Sequence, residues 1–425
     1  MNIALKDWPV YLLILLPLAI ISGPFFSDLF IIIIDIWFLV KIFKNNDLKK
    51  KYLNNNFFLF FILFNFYLVT VSLFSENYLY SLKSSFFYFR FYIFAFAICM
   101  ILNTYCVSLK YFFYSISFSI ILIILSAFFD LVIVKDFFNN VQGNQGELKR
   151  VSGLFGDELI MGGVLKTFFT IFIVFFNYLN FFKKSYVNFW SITLIFWIVS
   201  FTILISGERV SIFSFFIFSI FTGFILSKKI DLLKISILTI IPMILLFFTF
   251  DHLRERVIEQ TLTQITNNQI LYNNEGNIIE IDKEKFVYLS VHHDAHARTA
   301  IDIFLDKPLI GHGPKNFRNI CKEFEYNKFS CTTHPHNIYL QLLSETGLIG
   351  LFFLVIVIFN LSKFLIADVV KKDKLSFQIL SVYLLVHLIP FLPSGNIFNN
   401  FYNINLFMII GLYLYFMDYN KKIIK

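Results

Sequence analysis

Long apolar runs separated by short polar connections dominate the chain. The runs fall near 9–25, 28–44, 57–74, 86–102, 111–134, 159–182, 188–205, 210–227, 232–250, 338–362, 376–392 and 402–419. About 20 apolar residues in an α-helix cross the hydrocarbon core of a bilayer. The pattern predicts an all-α integral membrane protein with about twelve transmembrane helices. A transmembrane barrel is disfavoured, because its strands alternate polarity over about ten residues and these runs are continuous. Pro17 and Pro24 interrupt the first run and Asp35 sits inside the second, so these two spans are the least regular. One long polar stretch breaks the alternation. Residues 251–337 are too many for a connector and are expected to form a partly helical subdomain. The chain then divides into 1–250 with transmembrane helices 1 to 9, 251–337 as the large loop, and 338–425 with helices 10 to 12.

Composition agrees with this reading. Of 425 residues, 58% are hydrophobic, 60 are Phe and only 15% are charged, which excludes an ordinary soluble domain. The net charge of +8 does not point to nucleic acid, because the lysines sit in short clusters between apolar runs. With a cytoplasmic N-terminus, the inner segments are Lys41–Lys51, Asn103–Lys110, Lys183–Lys184, Lys228–Lys234, Lys363–Lys374 and Lys421–Lys425. The short outer connections Ser22–Asp28 and Pro393–Asn403 carry almost no basic residues. This is the positive-inside pattern, and an odd number of spans breaks it. Both termini are expected in the cytoplasm, with the large loop and the segment Lys135–Glu158 outside. The first run lacks a small-residue cleavage site and is expected to be a retained helix.

The cysteines divide by compartment. Cys99 and Cys106 lie at an inner membrane end, where thiols stay reduced. Cys321 and Cys331 lie in the large outer loop, where an oxidising compartment favours a disulfide; two unpaired, half-buried thiols are the alternative. Neither a CxxC nor an HExxH spacing supports a zinc site, and no metal is expected.

Three polar features collect on the outer side: "GELKRVSGLFGDELIMGG" with Arg150, "ISGERVSIF" with Arg209, and the large loop with "HARTAIDIFLDKPLIGHGPKNFR" and "THPHNIYLQ". Arginine beside a bilayer is costly unless it pairs or snorkels. Arg209 sits between two apolar spans with almost no loop around it. Its guanidinium suits phosphate, with two parallel charge-assisted hydrogen bonds and a charge it cannot lose; Glu208 beside it offers simple neutralisation instead. Arg150 follows Lys149, and such a basic pair is often merely solvated. Pro335 separates His334 from His336 and permits a helix only at or after itself. His336 and Asn337 then fall near the first turn, where free N–H groups and the helix dipole keep a histidine neutral. A plain Asn337 cap beside a satisfied His336 is equally compatible. In "VHHDAH", His292 and His296 are spaced i, i+4 around Asp294, which more often marks a solvated face than a metal site; His293 has no assigned role. His312 reads as a turn residue. Asp35, Asp130 and His387 are isolated ionisable groups in apolar runs.

"HPHNIYLQLLSETGLIG" resembles the signature of the O-antigen ligase and polymerase superfamily, His-Pro-His-Asn-x-Tyr-Leu-Gln followed by Glu-x-Gly-x-x-Gly. "RTAIDIFLDKPLIGHGPKNF", "RVSGLFGDELIMGG" and "SGERVS" resemble further elements of that family, in the family order. Many members have Pro-Asn after "LFGD", where this chain has Glu158 and Leu159; that departure touches Asp157 and leaves Arg150 in place. The resemblance implies a GT-C-like, metal-independent, inverting glycosyltransferase of the bacterial inner membrane, with no cofactor and its active site facing the periplasm. The implied donor is a glycan on undecaprenyl diphosphate. The implied acceptor is lipid A–core for a ligase, or a second lipid-linked glycan for a polymerase. Ligation is preferred; a lipid-linked glycan transporter is the distant rival. The family pattern carries the catalytic roles onto His336, Arg209 and Arg150, and substrate contact onto Arg298, His334 and Asn337.

Overall fold

The computed structural model describes residues 8–105, 108–133, 150–179, 185–226, 232–249, 253–259, 261–262, 271–272, 278–279, 287–369 and 375–423. The membrane-type helices of the first half are α1 (Trp8–Ser22), α2 (Pro24–Phe43), α4 (Asn56–Leu73), α6 (Phe89–Thr104) and α7 (Ser108–Ile133). The short helices α3 (Asn46–Leu53) and α5 (Tyr78–Phe86) connect them. After a 3-10 turn at Gly153–Phe155 come α8 (Met161–Tyr178), α9 (Ser185–Ile205), α10 (Arg209–Leu226) and α11 (Leu232–Thr249). The long polar stretch supplies α12 (Val291–Asp306) and α13 (Phe317–Ile320), and a two-residue antiparallel ladder pairs Leu271 with Ile279. The chain ends in α14 (Ile338–Val369), α15 (Leu375–His387) and α16 (Asn400–Ile423). Among the described residues, six helices are long and apolar enough to cross a membrane, accompanied by five shorter apolar helices. Large apolar side chains such as Phe66, Phe129, Phe359 and Ile366 face outward, as lipid-facing positions require.

Helix α6 is the axis of the bundle, with Phe91 to Leu102 buried without a break. It packs against α16 and α2. A Cβ at Gly411 of α16 would stand 2.9 Å from the Ala95 carbonyl oxygen, so glycine there lets two helix backbones approach, the usual device where both sides are apolar. Stacked rings fill the seam, Phe61 on Tyr92 at 4.7 Å and Phe91 on Phe407 at 5.8 Å.

Polar contacts tie the helix ends at one pole of the bundle. Arg90 pairs with Asp28 at 3.0 Å, Asn400 donates to Asp28 at 3.1 Å, and Lys307 pairs with Glu76 at 3.2 Å. All of these belong to segments assigned outside. At the opposite end, Asn177 donates to Ser376 at 3.1 Å, and Phe57 meets Phe364 at 6.5 Å.

The break in α14 positions everything that follows. Gly347 has φ 64° and ψ −167° inside the helix, so Ile338–Thr346 and the apolar remainder are separate half-helices. The backbone groups freed there are satisfied by the "KPLIGHG" turn. Leu348 N donates to the Pro308 carbonyl at 2.9 Å, while His312 N and Gly313 N donate to the carbonyls of Ser344 and Glu345 at 3.1 and 2.8 Å. The two strands of contact are so close that a Cβ at Gly347 would stand 2.3 Å from the Leu309 carbonyl oxygen. Gly347→Ala is therefore expected to destabilise by about 3 kcal/mol or more, combining a strained φ with a backbone clash. Gly156 also has a positive φ, 58°, but nothing lies within 4 Å of its Cβ position. Gly156→Ala should cost only about 1 kcal/mol, and melting temperatures of the two detergent-solubilised variants test the difference.

Candidate active site

The Cys321–Cys331 disulfide, with Cα atoms 5.3 Å apart, closes the loop upstream of His334. Closing a loop of about ten residues stabilises by about 3 kcal/mol in the chain-entropy picture. Cys321 belongs to a small second core with Ala300, Ile303, Phe317 and Ile320, which fixes α13 against α12 and the start of α14. Cys106 lies outside the described residues.

Pro335 does stop helix formation, and the helix starts later than the motif suggests. Helix α14 begins at Ile338, and Asn337 is its cap: its side-chain oxygen accepts from Tyr339 N at 2.9 Å and Leu340 N at 3.1 Å. The Asn337 amide nitrogen donates to the Pro390 carbonyl at 2.7 Å and lies 3.3 Å from the Tyr288 hydroxyl. Its side chain, committed on both sides and buried, makes Asn337 the cap of this helix. His336 stands outside the helix with φ 53°. A left-handed backbone at a non-glycine residue is strained, and here it is held by Ser394 N donating to the His336 carbonyl at 2.8 Å.

That backbone turns the His336 ring into a nest of imidazoles. His334 lies 4.1 Å away between ring centres, His296 5.4 Å and His293 6.0 Å. Sequence spacing singled out His292 with His296; the pair that assembles is His293 with His296, one turn apart on α12. His292 instead meets Phe329 at 4.2 Å, and Asp294 turns away to Arg298. The neighbours of His336 are fixed from outside the nest: His293 Nδ1 is 2.7 Å from Ser290 Oγ, and His334 Nδ1 is 3.0 Å from Thr333 Oγ1. His296 is buried, and its Nδ1 has no hydrogen-bond partner among the described residues.

Burial lowers the pKa of all four rings, to about 4 for His293 and His296 and to about 3 for His334. His336 is also lowered, by burial, so the reason it is neutral is desolvation rather than the helix end that the sequence suggested. A charge on His336 pushes each of the other three further down. The four rings therefore oppose one another's protonation, and the nest as a whole is held toward its neutral form.

The arginines are placed unequally. Arg209 opens α10, donates to Thr261 Oγ1 at 3.1 Å, and its charge helps lower His293, which brings a guanidinium into the electrostatic reach of the nest. The Glu208 carboxylate serves another end: it accepts from Gly162 N at 2.6 Å, Gly163 N at 3.1 Å and Ser211 Oγ at 2.8 Å. It therefore caps α8 and locks the Arg209 turn onto the segment that carries Arg150. Arg150 Nε is buried without a hydrogen-bond partner among the described residues, and no contact joins Arg150 to the histidines there. Arg298 pairs with Asp294 at 2.7 Å and lies over the Tyr326 ring at 5.2 Å, a structural setting on the far side of α12 from the His293–His296 pair.

Several residues unread in the sequence hold this arrangement. Gln341 donates to Glu345 at 3.1 Å and to Asn396 at 2.8 Å, while Glu345 accepts from Phe317 N at 3.1 Å. These bonds tie the His336 helix to the 388–399 loop and to α13. Lys166 is buried in α8 and donates to Ser214 at 2.7 Å; a lone lysine in an apolar run was its only signal. Asp130 accepts from Ser152 N and Gly153 N at 3.1 Å each, and His387 bonds Tyr402 at 2.6 Å, so both serve packing. Asp35 is buried in α2.

Residues 194–355 match the family described as O-antigen ligase. That stretch of the chain is similar to the O-antigen ligase family. No curated protein matches it. The matched stretch contains Arg209, the four clustered histidines, Arg298 and the disulfide, and it ends within α14; Arg150 lies outside it. The match, with six described helices long and apolar enough to cross a membrane, fits a multi-pass membrane protein and points to glycan transfer of the O-antigen ligase or polymerase type.

Proposed function

We propose that the chain transfers a glycan from undecaprenyl diphosphate to an acceptor hydroxyl at the periplasmic face, with lipid A–core as the acceptor. The observation that carries this reading is the neutral His336, half-buried and surrounded by three other neutral imidazoles, with the Arg209 charge close by. As the acceptor oxygen forms its bond to sugar C1, the bond from C1 to the phosphate oxygen breaks and its electron pair stays on the diphosphate. The acceptor proton passes to the His336 imidazole. Arg209 stabilises the charge that grows on the leaving diphosphate, with Arg150 as a second cation from the adjoining segment. One displacement from the face opposite the leaving group inverts C1. Arg298 and His334 shape the pocket through the α12 ion pair and the ring contact on His336, and Asn337 sets the helix start.

The active face is the end of the bundle that the charge bias places outside, with both termini on the cytoplasmic side of the inner membrane. Purified protein in lipid, supplied with undecaprenyl-diphosphate glycan and either lipid A–core or more donor, tests the reading. Consumption of lipid A–core supports ligation; consumption of donor alone identifies a polymerase; turnover of neither removes the proposal. A metal plays no part in this scheme. Turnover is therefore expected to be the same with and without a strong chelator. Loss in chelator, restored by one divalent ion, would return the histidines to the role of ligands.

A further inference from the structure

A cavity of about 350 Å³ opens at the outer end of α5 and α6, away from the histidines. Lys83, Arg90 and Lys315 line it together with Tyr80, Phe87 and Asn400. Its size is that of a small-ligand site. Its charge needs a cause, because the short outer connections of this chain hold few basic residues, yet Lys83 of α5 and Arg90 in the first turn of α6 meet Lys315 of the long polar segment here.

The charges are only partly answered within the protein. Arg90 is held by Asp28 at 3.0 Å, but its Nε is buried without a hydrogen-bond partner among the described residues. No ion pair among the described residues engages Lys83 or Lys315. Lys315 is held at φ 63°, a strained backbone of the kind that clusters at ligand sites. Burial, and then the neighbouring Arg318 and Arg90 charges, lower its pKa, with Glu345 opposing. The cavity thus carries an excess of positive charge beside aromatic surface at the depth of a lipid headgroup, the chemistry that suits a phosphate on a lipid.

The cavity is joined to the candidate active site by a short length of chain. Ser394 N holds the His336 carbonyl, and Phe398 of the same loop lines the cavity. Four residues span at most about 14 Å. Tyr88, also in the wall, donates to the Ile397 carbonyl at 3.0 Å, which fixes the loop to α6. Arg209 opens α10, whereas the cavity is built on α5 and α6, so a second anion here is bound by a separate set of residues.

We propose that this cavity binds the phosphate of the lipid-anchored acceptor, so that His336 works between two anion sites, the donor diphosphate at Arg209 and the acceptor phosphate at Lys83, Arg90 and Lys315. This rests on the glycan-transfer reading above. A phosphate held here anchors the acceptor within a short glycan's reach of His336. Both acceptor classes carry phosphate, on the core lipid or on a polyprenyl chain, and a bilayer phospholipid shares the same headgroup chemistry.

The test uses full-length protein in phosphatidylcholine nanodiscs, with C55 polyprenyl monophosphate as the probe and bound copies counted by native mass spectrometry. The wild type is expected to bind two copies. Lys83→Glu combined with Lys315→Ala should bind one, with at least about tenfold weaker affinity for the second. Lys83 is exposed, so Lys83→Glu alone serves as a variant certain to insert, with the same direction of change. In turnover assays the acceptor KM should rise about tenfold at nearly constant kcat and donor KM. Two copies retained by the double variant, or a fall in kcat alone, overturns the cavity. Loss of the second copy when phosphatidylglycerol is added at equal mole fraction makes the occupant a bilayer headgroup and overturns the acceptor assignment. Two copies retained by Arg209→Ala, with one bound by the lysine variant, strikes at the donor site of the proposed function and leaves the cavity standing.

Discussion

Replacing His336 with alanine should reduce glycan transfer by at least about 10²–10⁴-fold, the range lost with a general base. Expression and membrane insertion should be unchanged. The expectation rests on placement: the His336 ring faces the three other imidazoles at 4.1, 5.4 and 6.0 Å, and it alone of the four stands on a left-handed backbone. Alanine at φ 53° is itself mildly strained, so His336→Asn is the sharper variant, because asparagine tolerates that backbone and lacks the imidazole. The wild-type pH profile supplies a second check. Burial lowers the His336 pKa below the usual 6.5, so the neutral base persists across the neutral range and is lost only as pH falls through the lowered value. The acid limb should therefore lie below about pH 6.5. Turnover at the wild-type rate in both variants removes His336 from the chemistry.

Arg209→Ala should lower kcat by about 10²–10³-fold, the usual cost of removing one preorganised stabiliser of growing charge. The loss should fall on kcat more than on donor KM, since the diphosphate gains charge as the bond to C1 breaks. Arg209→Lys should recover only part of the rate, because an ammonium keeps the charge and loses the paired hydrogen bonds. The fold should tolerate both changes, because the turn is locked by Glu208 on Gly162 and Gly163. Equal losses in the alanine and lysine variants indicate that geometry matters more than charge. No loss in either ends the assignment.

The spans were legible because bilayer thickness imposes a run length and because lysines mark one end. The observed α10 and α11 begin within a residue of the runs that announced them. What the pattern hid was local. The helix α5 went unread because it lies in the connection between the runs 57–74 and 86–102, and the run from 338 concealed the break at Gly347, since hydropathy records polarity and not φ. The site shows the same division. His336, Arg209 and the two cysteines stand out as polar residues at an outer membrane end. His293 stayed unread because spacing along α12 favours His292 with His296 equally well, and only the packing of α12 on α14 decides which face turns inward. Asn337 was read both as ligand and as cap; the capping bonds need coordinates. Glu208 was weighed as a neutraliser of its neighbour, while its carboxylate reaches a helix more than forty residues away in sequence.

The break at Gly347 separates two mechanical duties. The apolar half-helix answers to the bilayer, tilting as lipid length and tension require. The short half that begins at the Asn337 cap is moored to the polar turns around it by His312, Gly313, Phe317 and Asn396. A joint outside the helical φ/ψ range does not oblige one half to turn with the other. The imidazole nest is thus carried on a strut anchored in the polar turns, while the rod beneath it, tied to those turns only at Leu348 and Ile349, presents its apolar side chains outward.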